Sequence, residues 1–186
     1  MYSLSGSVEK AIRRAGGGGN TNAVRQVVEV SEHMLMQGIT IKYVDFCSLY
    51  PWVMLATPMC IGMPDTTRYE TPGLDGPTPE KLKTFFGFIE CDFVPPKGLF
   101  HPVLLKNTDN MIVRSLDPIK ETCVTSVECQ LAMEKGYVVT NVRAIHEFQE
   151  SRTILRPYLQ NFLRLKIESE DYSEDGVPDE ERIAEV

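Results

Sequence analysis

The chain has 186 residues, 42% of them hydrophobic and 24% charged, which predicts a globular domain with a sizeable core and excludes a low-complexity polypeptide. The net charge of −7 belongs to the C-terminal end: Glu168 to Val186 hold nine acidic residues and one arginine, so the preceding 167 residues carry 18 basic and 17 acidic side chains. This excludes a basic field over the whole domain, although a neutral body with local basic clusters can still contact a phosphate backbone.

The five cysteines are odd in number, and none forms a CxxC pair. They therefore read as reduced, mostly buried thiols of an intracellular protein. A zinc site at Cys123 and Cys129 lacks a second pair to complete four ligands. The sequence contains neither a signal peptide nor an apolar run near the ~18 residues that a membrane span requires. We expect a soluble protein of the nucleus or cytoplasm, with no membrane partner.

The first 15 residues predict a short helix, SVEKAIRRA, with Ser7 as its N-cap and a basic face. The basic residues are Lys10, Arg13 and Arg14. Four glycines follow at positions 16–19, a run typical of a linker or a chain reversal. The alternative is that these glycines let the backbone approach a strand of nucleic acid.

Two strands are predicted next. Alternating valines favour a strand over 23–30, and 31–38 reads as a hairpin connection into a strand over 39–46. Ile41, Tyr43 and Val44 are β-branched or aromatic, which indicates that the second strand is buried in a sheet covered on both faces.

Asp45 stands at the end of that second strand, directly before a predicted sharp turn. Pro51 suits the first turn of a following helix, because its missing N–H would have no partner there in any case. A carboxylate held at a strand end can bind a metal while N–H groups of the next turn point at an anion. The alternative is that Asp45 only caps the turn.

After this unit, the Pro- and Gly-rich stretch 58–79 reads as a surface loop, and strand character returns over 84–105. The strand places alternating residues on opposite faces: Phe86, Phe88, Glu90 and Asp92 on one, and Gly87, Ile89, Cys91 and Phe93 on the other. Pro95 to Gly98 form a turn. His101 stands in an apolar loop and reads as a structural residue without a catalytic role.

The C-terminal third predicts a helix, a strand and a second helix. Thr125 to Glu128 form a capping-box pattern, and Gly136 closes the helix, with a buried stripe of Val127, Leu131 and Ala132. Residues 137–148 alternate as a strand. Residues 156–169 form an amphipathic helix whose polar side carries Arg164 and Lys166; packing against a core is one reading of this helix, and contact with DNA is the other. The acidic residues beyond 170 predict a disordered tail.

Asp45-Phe46-Cys47-Ser48-Leu49-Tyr50-Pro51 resembles motif A of family B DNA polymerases, which has an Asp, two variable residues and then SLYP. Further blocks are similar to the protein-primed members of that family, as found in transposons, adenoviruses and linear plasmids. They are RRA with GGNTNA before motif A, the GFIECDFVPPKGLFHPVLL stretch after it, and GYVVTNVRAIHEF. The resemblance covers roughly residues 11–168. At the glycine block, the family's aromatic positions are Gly16 and Gly17 and its Arg position is Asn20, so the base-stacking platform is missing.

The resemblance implies an α/β (α+β) fold: part of a polymerase palm, a mostly antiparallel sheet with packed helices and an insertion after motif A. It implies that Asp45 is the catalytic metal ligand for two Mg²⁺ ions in the complete enzyme. By the same resemblance, Tyr50 is the steric gate against ribonucleotides. The remaining implied contacts are with nucleotide (Phe46, Cys47, Ser48, Leu49) and with DNA (Gly18, Gly19, Asn20, Thr21).

The implied partners are a DNA template and primer, a deoxynucleoside triphosphate, and a terminal protein as primer. The family's D-T-D carboxylate motif and its K-x3-N-S-x-Y-G helix do not occur in the sequence through Val186. We therefore expect a polymerase fragment that is inactive alone, divided into a helical remnant (1–15), a partial palm (16–170) and an acidic tail (171–186). The alternative is a non-catalytic remnant that binds DNA or protein.

Overall fold

The computed structural model describes residues 6–15, 25–46, 48–108 and 111–170. These residues fall into two compact units, one made of Met1–Gly17 with Cys60–Arg152 and the other of Gly18–Met59 with Thr153–Val186. Helices and antiparallel strands are mixed along the chain, so the predicted α+β class is confirmed.

The first unit is built on a four-stranded antiparallel sheet with the order β2-β7-β3-β6. The strands are β2 (Asp65–Arg68), β3 (Gly87–Val94), β6 (Ile119–Thr125) and β7 (Val138–Glu147). Two small ribbons accompany it, one pairing β1 (Met59–Ile61) with β8 (Glu150–Arg152), the other pairing β4 (Lys106–Thr108) with β5 (Met111–Val113).

The loop predicted over 58–79 is therefore wrong for β1 and β2. All four residues of β2 are exposed, so it lacks the hydrophobic alternation that marks a strand, and its pairing with β7 positions it.

The central strand β3 confirms the predicted alternation. Ile89, Cys91 and Phe93 are completely buried on one face, and burial of each large apolar side chain contributes about 1.5–3 kcal/mol. A bulge shifts the register around Asp92, which is buried as well.

Three helices cover the sheet of the first unit: α1 (Gly6–Ala15), α4 (Pro79–Thr84) and α5 (Ser126–Glu134). Helix α1 contacts β6 and β3 and buries Val8 and Ala11. Ser7 is the second residue of α1, so its predicted role as N-cap is wrong.

The capping box that opens α5 is confirmed, with Thr125 Oγ1 accepting from Glu128 N–H and the Glu128 carboxylate accepting from Thr125 N–H. Gly136, in the left-handed region, ends the helix as predicted. The predicted buried stripe is correct only at Ala132, because α5 packs through the small residues Ser126, Cys129 and Ala132. Val127 and Leu131 are exposed.

The described part of the second unit contains three helices: α2 (Glu32–Met36), α3 (Leu49–Ala56) and α6 (Arg156–Glu170). The predicted hairpin over 31–38 is wrong. Ser31 Oγ accepts a hydrogen bond from Met34 N–H and so caps α2, and this local signal outweighs the strand pattern around it.

The two strands predicted around α2 are also wrong. Residues 25–30 and 39–46 have no regular secondary structure, while residues 23 and 24 lie outside the described ranges. Ile41, Tyr43 and Val44 are exposed rather than buried. The physical reason is that β-propensity expresses packing against neighbouring strands, and among the described residues no strand pairs with 39–46.

Helix α6 confirms the helix predicted over 156–169. The apolar side of α6 is only partly buried. Leu159 and Leu163 are half-buried, whereas Tyr158, Phe162 and Leu165 are exposed. The rings of Tyr158 and Phe162 lie 4.7 Å apart. The predicted acidic tail lies outside the described residues.

Candidate functional site

The candidate site is the continuous stretch from Asp45 to Tyr50 in the second unit. The Asp45 side chain is exposed, and it forms no ion pair or hydrogen bond within the described ranges. Its neighbour Phe46 is exposed as well. An exposed carboxylate with no partner among the described residues is available to a ligand from solution.

The turn into α3 depends on Ser48. This residue has φ 54° and ψ 37°, the left-handed region that non-glycine residues seldom adopt. Its carbonyl oxygen accepts from Trp52 N–H at 3.0 Å, which is the first hydrogen bond of α3. Its side chain does not cap the helix. Helix α3 therefore begins at Leu49, four residues after Asp45, which agrees with the helix start predicted from the sequence.

Pro51 occupies the third position of α3, which confirms its predicted place in the first turn. The N–H groups of a helix's first turn lack intrahelical acceptors, and proline has no N–H to contribute. The backbone donors at this end of α3 are thus those of Leu49 and Tyr50. The Tyr50 side chain is 70% exposed, so one short stretch presents a carboxylate, backbone donors and an aromatic ring.

The other end of α3 is held by Arg156, the first residue of α6. Its Nε donates to the carbonyl oxygen of Leu55 at 3.1 Å, and the two helices pack together. Sequence reasoning placed Arg156 only at a helix start. A cation in the first turn of α6 is unfavourable for the dipole of α6 itself. This unfavourable position was the signal in the sequence that Arg156 interacts with another helix.

Complete family B polymerases generally use divalent metal ions. A two-metal centre needs several carboxylates around the ions. Within the described ranges, no group of three or more His, Cys, Asp or Glu side chains is gathered closely enough to hold a metal. The described donors around Asp45 are therefore too few for such a centre, and no metal-binding group forms at Cys123 and Cys129 within the same ranges.

Only part of the predicted set lies among the described residues. Asp45, Phe46, Ser48, Leu49 and Tyr50 form the stretch described above, whereas Cys47 lies outside the described residues. The predicted DNA-binding residues lie outside them too: Gly18, Gly19, Asn20 and Thr21.

The thiols within the described ranges are free, as predicted. Burial raises the pKa of Cys123 to about 12 and that of Cys129 to about 11, and it raises the pKa of Cys91 further. These three buried thiols are therefore protonated and unreactive at neutral pH. His101 packs its ring edge-on against Phe100.

The class of protein follows from comparison of the whole sequence with known families. Residues 1–177 match the family model described as DNA polymerase type B, organellar and viral. Because this match covers nearly the whole chain, the protein belongs to that family, and the resemblance to type B DNA polymerases seen in the sequence is confirmed.

Comparison with curated proteins and with solved structures gave no match. The family indicates DNA polymerase activity in the complete enzyme, with DNA and nucleotides as partners. Among the described helices, none is long and apolar enough to cross a membrane.

Proposed function

We propose that the chain carries the motif A part of the palm of a protein-primed type B DNA polymerase. The observation that carries this proposal is the position of Asp45, Ser48 and Tyr50 at the start of α3. There, an exposed carboxylate precedes a left-handed residue and a helix start. The match to the type B family supports the polymerase class.

Asp45 is the metal-binding carboxylate in this proposal. Its exposure, and the absence of a partner for it among the described residues, suit a ligand whose ion arrives with substrate. Since the described donors are too few for two ions, further carboxylates must join Asp45 in the active enzyme. The chain 1–186 is therefore inactive by itself.

The start of α3 binds the nucleotide. The N–H groups of Leu49 and Tyr50 point out of the first turn, where the positive end of the helix dipole favours a phosphate. The Tyr50 ring lies at the same helix start and packs under the sugar. There it excludes the 2′-hydroxyl of a ribonucleotide.

The glycine-rich block, with Gly18, Gly19, Asn20 and Thr21, contacts the DNA strand through its backbone. A terminal protein supplies the priming hydroxyl. Support for both points is the order of blocks in the sequence, in which this glycine block precedes motif A and the GFIECDFVPPKGLFHPVLL stretch follows it.

Primer-extension assays test the proposal with Mg²⁺, a DNA template and both DNA and protein primers. The purified chain 1–186 should incorporate no nucleotide. In a polypeptide extended to include D-T-D and K-x3-N-S-x-Y-G motifs, Asp45→Asn should lower incorporation by about 10³-fold or more, as for loss of a metal ligand. The matched control is Glu29→Gln, which changes an exposed carboxylate in the same unit.

Unchanged incorporation by Asp45→Asn would remove Asp45 from the metal site. Templated extension by 1–186 alone would show that the proposed inactivity is wrong. A strict requirement for a DNA primer, with no extension from a protein hydroxyl, would reject protein priming while leaving the polymerase assignment intact.

A second candidate function is a non-catalytic remnant that binds DNA or protein. The small donor set around Asp45 favours it. This candidate predicts that 1–186 binds DNA with a salt-dependent affinity that Asp45→Asn does not weaken. It also predicts that adding the downstream motifs restores no activity.

A further inference from the structure

A chain of hydrogen-bonded side chains crosses one face of the sheet in the first unit. Thr66 Oγ1 on β2 lies 2.9 Å from His146 Nδ1 on β7, and His146 Nε2 lies 3.0 Å from Glu90 Oε1 on β3. Thr66 is directly opposite His146 in the register of β2 and β7. These three residues, here called the Thr66 relay, have no part in the polymerase site proposed above.

When His146 is neutral, the hydrogen-bonding capacity of its neighbours determines which ring nitrogen donates and which accepts. A carboxylate only accepts, so the Nε2 atom next to Glu90 carries the ring proton. Nδ1 then holds a lone pair and accepts from the hydroxyl group of Thr66. A hydroxyl that donates to a histidine, which a carboxylate orients in turn, is the arrangement that activates a nucleophile.

Burial makes the relay rigid. His146 has no exposed surface, and the Glu90 side chain is 16% exposed. Arg14 of α1 donates to the second oxygen of Glu90 at 2.7 Å, which holds this carboxylate in place. Thr66 itself is exposed on the edge strand β2. The base is thus shielded from water while the hydroxyl-bearing residue is accessible.

Arg68 adds an unused positive charge beside the hydroxyl. It lies two residues after Thr66 on the same strand, so both side chains belong to the same face of β2. Arg68 is exposed and forms no ion pair or hydrogen bond with any residue in the described ranges. Its guanidinium group is available to an anionic reactant.

We propose that Thr66 is an acyl-acceptor site for small, anionic, activated acyl donors such as acyl phosphates. Thr66 Oγ1 attacks the carbonyl carbon while its proton passes to His146 Nδ1. The bond between the acyl carbon and the phosphate oxygen then breaks, and phosphate leaves with the electron pair. His146 returns the proton to the phosphate or to water, so the products are O-acyl-Thr66 and inorganic phosphate.

The test incubates the chain 1–186 with acetyl phosphate and locates acetyl groups by fragmentation mass spectrometry. Thr67 is the internal control, because it is equally exposed on β2 but points to the opposite face. Thr66 should be acetylated at least about tenfold faster than Thr67, given that general-base assistance typically contributes 10²–10⁴-fold. Thr66→Ala should remove the label, whereas Thr66→Ser and Thr67→Ala should keep it.

Glu90→Gln tests the relay, because an amide cannot stabilise a protonated His146 as a carboxylate does. Acetylation at Thr66 should fall at least about tenfold in this variant. Arg68→Gln should slow labelling by acetyl phosphate but not by the neutral ester p-nitrophenyl acetate, in a protein that keeps its circular dichroism spectrum. Equal labelling of Thr66 and Thr67, or unchanged labelling of Thr66 in Glu90→Gln, would overturn the proposal.

Discussion

Arg156 Nε donates a hydrogen bond to the carbonyl oxygen of Leu55, and the two atoms lie 3.1 Å apart. Leu55 is the second-to-last residue of α3, so its carbonyl group is among those that lack an intrahelical donor. The guanidinium charge also complements the negative end of the α3 dipole. The helix that begins beside Asp45 is thus stabilised at its far end by the first residue of α6.

Arg156→Ala should weaken α3. Loss of the hydrogen bond and of the favourable charge predicts a cost of about 1 kcal/mol, seen as faster amide hydrogen exchange over residues 52–57. The control is Arg152→Ala, which removes an exposed ion pair with Glu150 and should cost less than about 0.5 kcal/mol. Equal exchange in both variants would mean that Arg156 does not hold α3.

Asp92 makes the first unit sensitive to acid. Burial acts to raise the pKa of this carboxyl, but hydrogen bonds from Asn141, Glu121 N–H and Arg143, together with the guanidinium charge, outweigh burial and hold the pKa below its ordinary value. Because the folded pKa is lowered, the stabilisation is complete above the unfolded pKa of about 3.9 and is lost as pH falls through the folded value.

Asp92→Asn should therefore lower the free energy of unfolding by about 2 kcal/mol at pH 7 and by progressively less as pH falls below the unfolded pKa of about 3.9. Urea titrations of both proteins at several pH values measure this difference. Glu134→Gln, at an exposed carboxylate, should stay within about 0.5 kcal/mol of the wild type throughout. A loss that is the same at pH 3 and pH 7 would contradict the assigned role of the charge.

The elements predicted correctly are those that local chemistry specifies. The α5 capping box lies within four residues, and Gly136 supplies the left-handed conformation that ends this helix. The alternation of β3 was readable because its buried face is strictly apolar. By contrast, the apolar run 39–46 needs neighbouring strands to become a strand, and its sequence does not say whether they are present.

The polar contacts of the first unit could not be predicted for a related reason. The pairing of Glu90 with His146 joins residues 56 positions apart, and it depends on the register of β3 with β7. The bulge at Asp92 likewise follows from pairing on both sides of β3. Asp45 and Tyr50 were found only through a seven-residue motif, because their exposed side chains make no contact that a folding pattern could reveal.

Gly87 is the glycine whose replacement should be most damaging. A Cβ at this position would lie 2.0 Å from the carbonyl oxygen of His146, so the backbones of β3 and β7 would have to separate. Gly87→Ala should cost at least about 3 kcal/mol in the free energy of unfolding measured with urea. Gly76→Ala is the control, since nothing lies within 4 Å of a Cβ there. Similar stabilities for the two variants would contradict this close approach.

The proposed gate role of Tyr50 predicts a change in sugar selectivity rather than in rate. The ring is exposed at the start of α3, two residues after Ser48, whose left-handed conformation aims the helix. If the ring packs under the incoming sugar, Tyr50→Ala removes the steric clash with a 2′-hydroxyl and should lower discrimination against ribonucleotides by at least about tenfold, or 1.4 kcal/mol.

The measurement is the ratio of kcat/KM for deoxy- and ribonucleotides in the polypeptide that includes the downstream motifs. Tyr43→Ala removes an equally large, exposed ring seven residues earlier and should leave the ratio unchanged. If Tyr50→Ala also leaves it unchanged, while Asp45→Asn abolishes incorporation, the gate role is wrong and the metal-binding role of Asp45 stands alone.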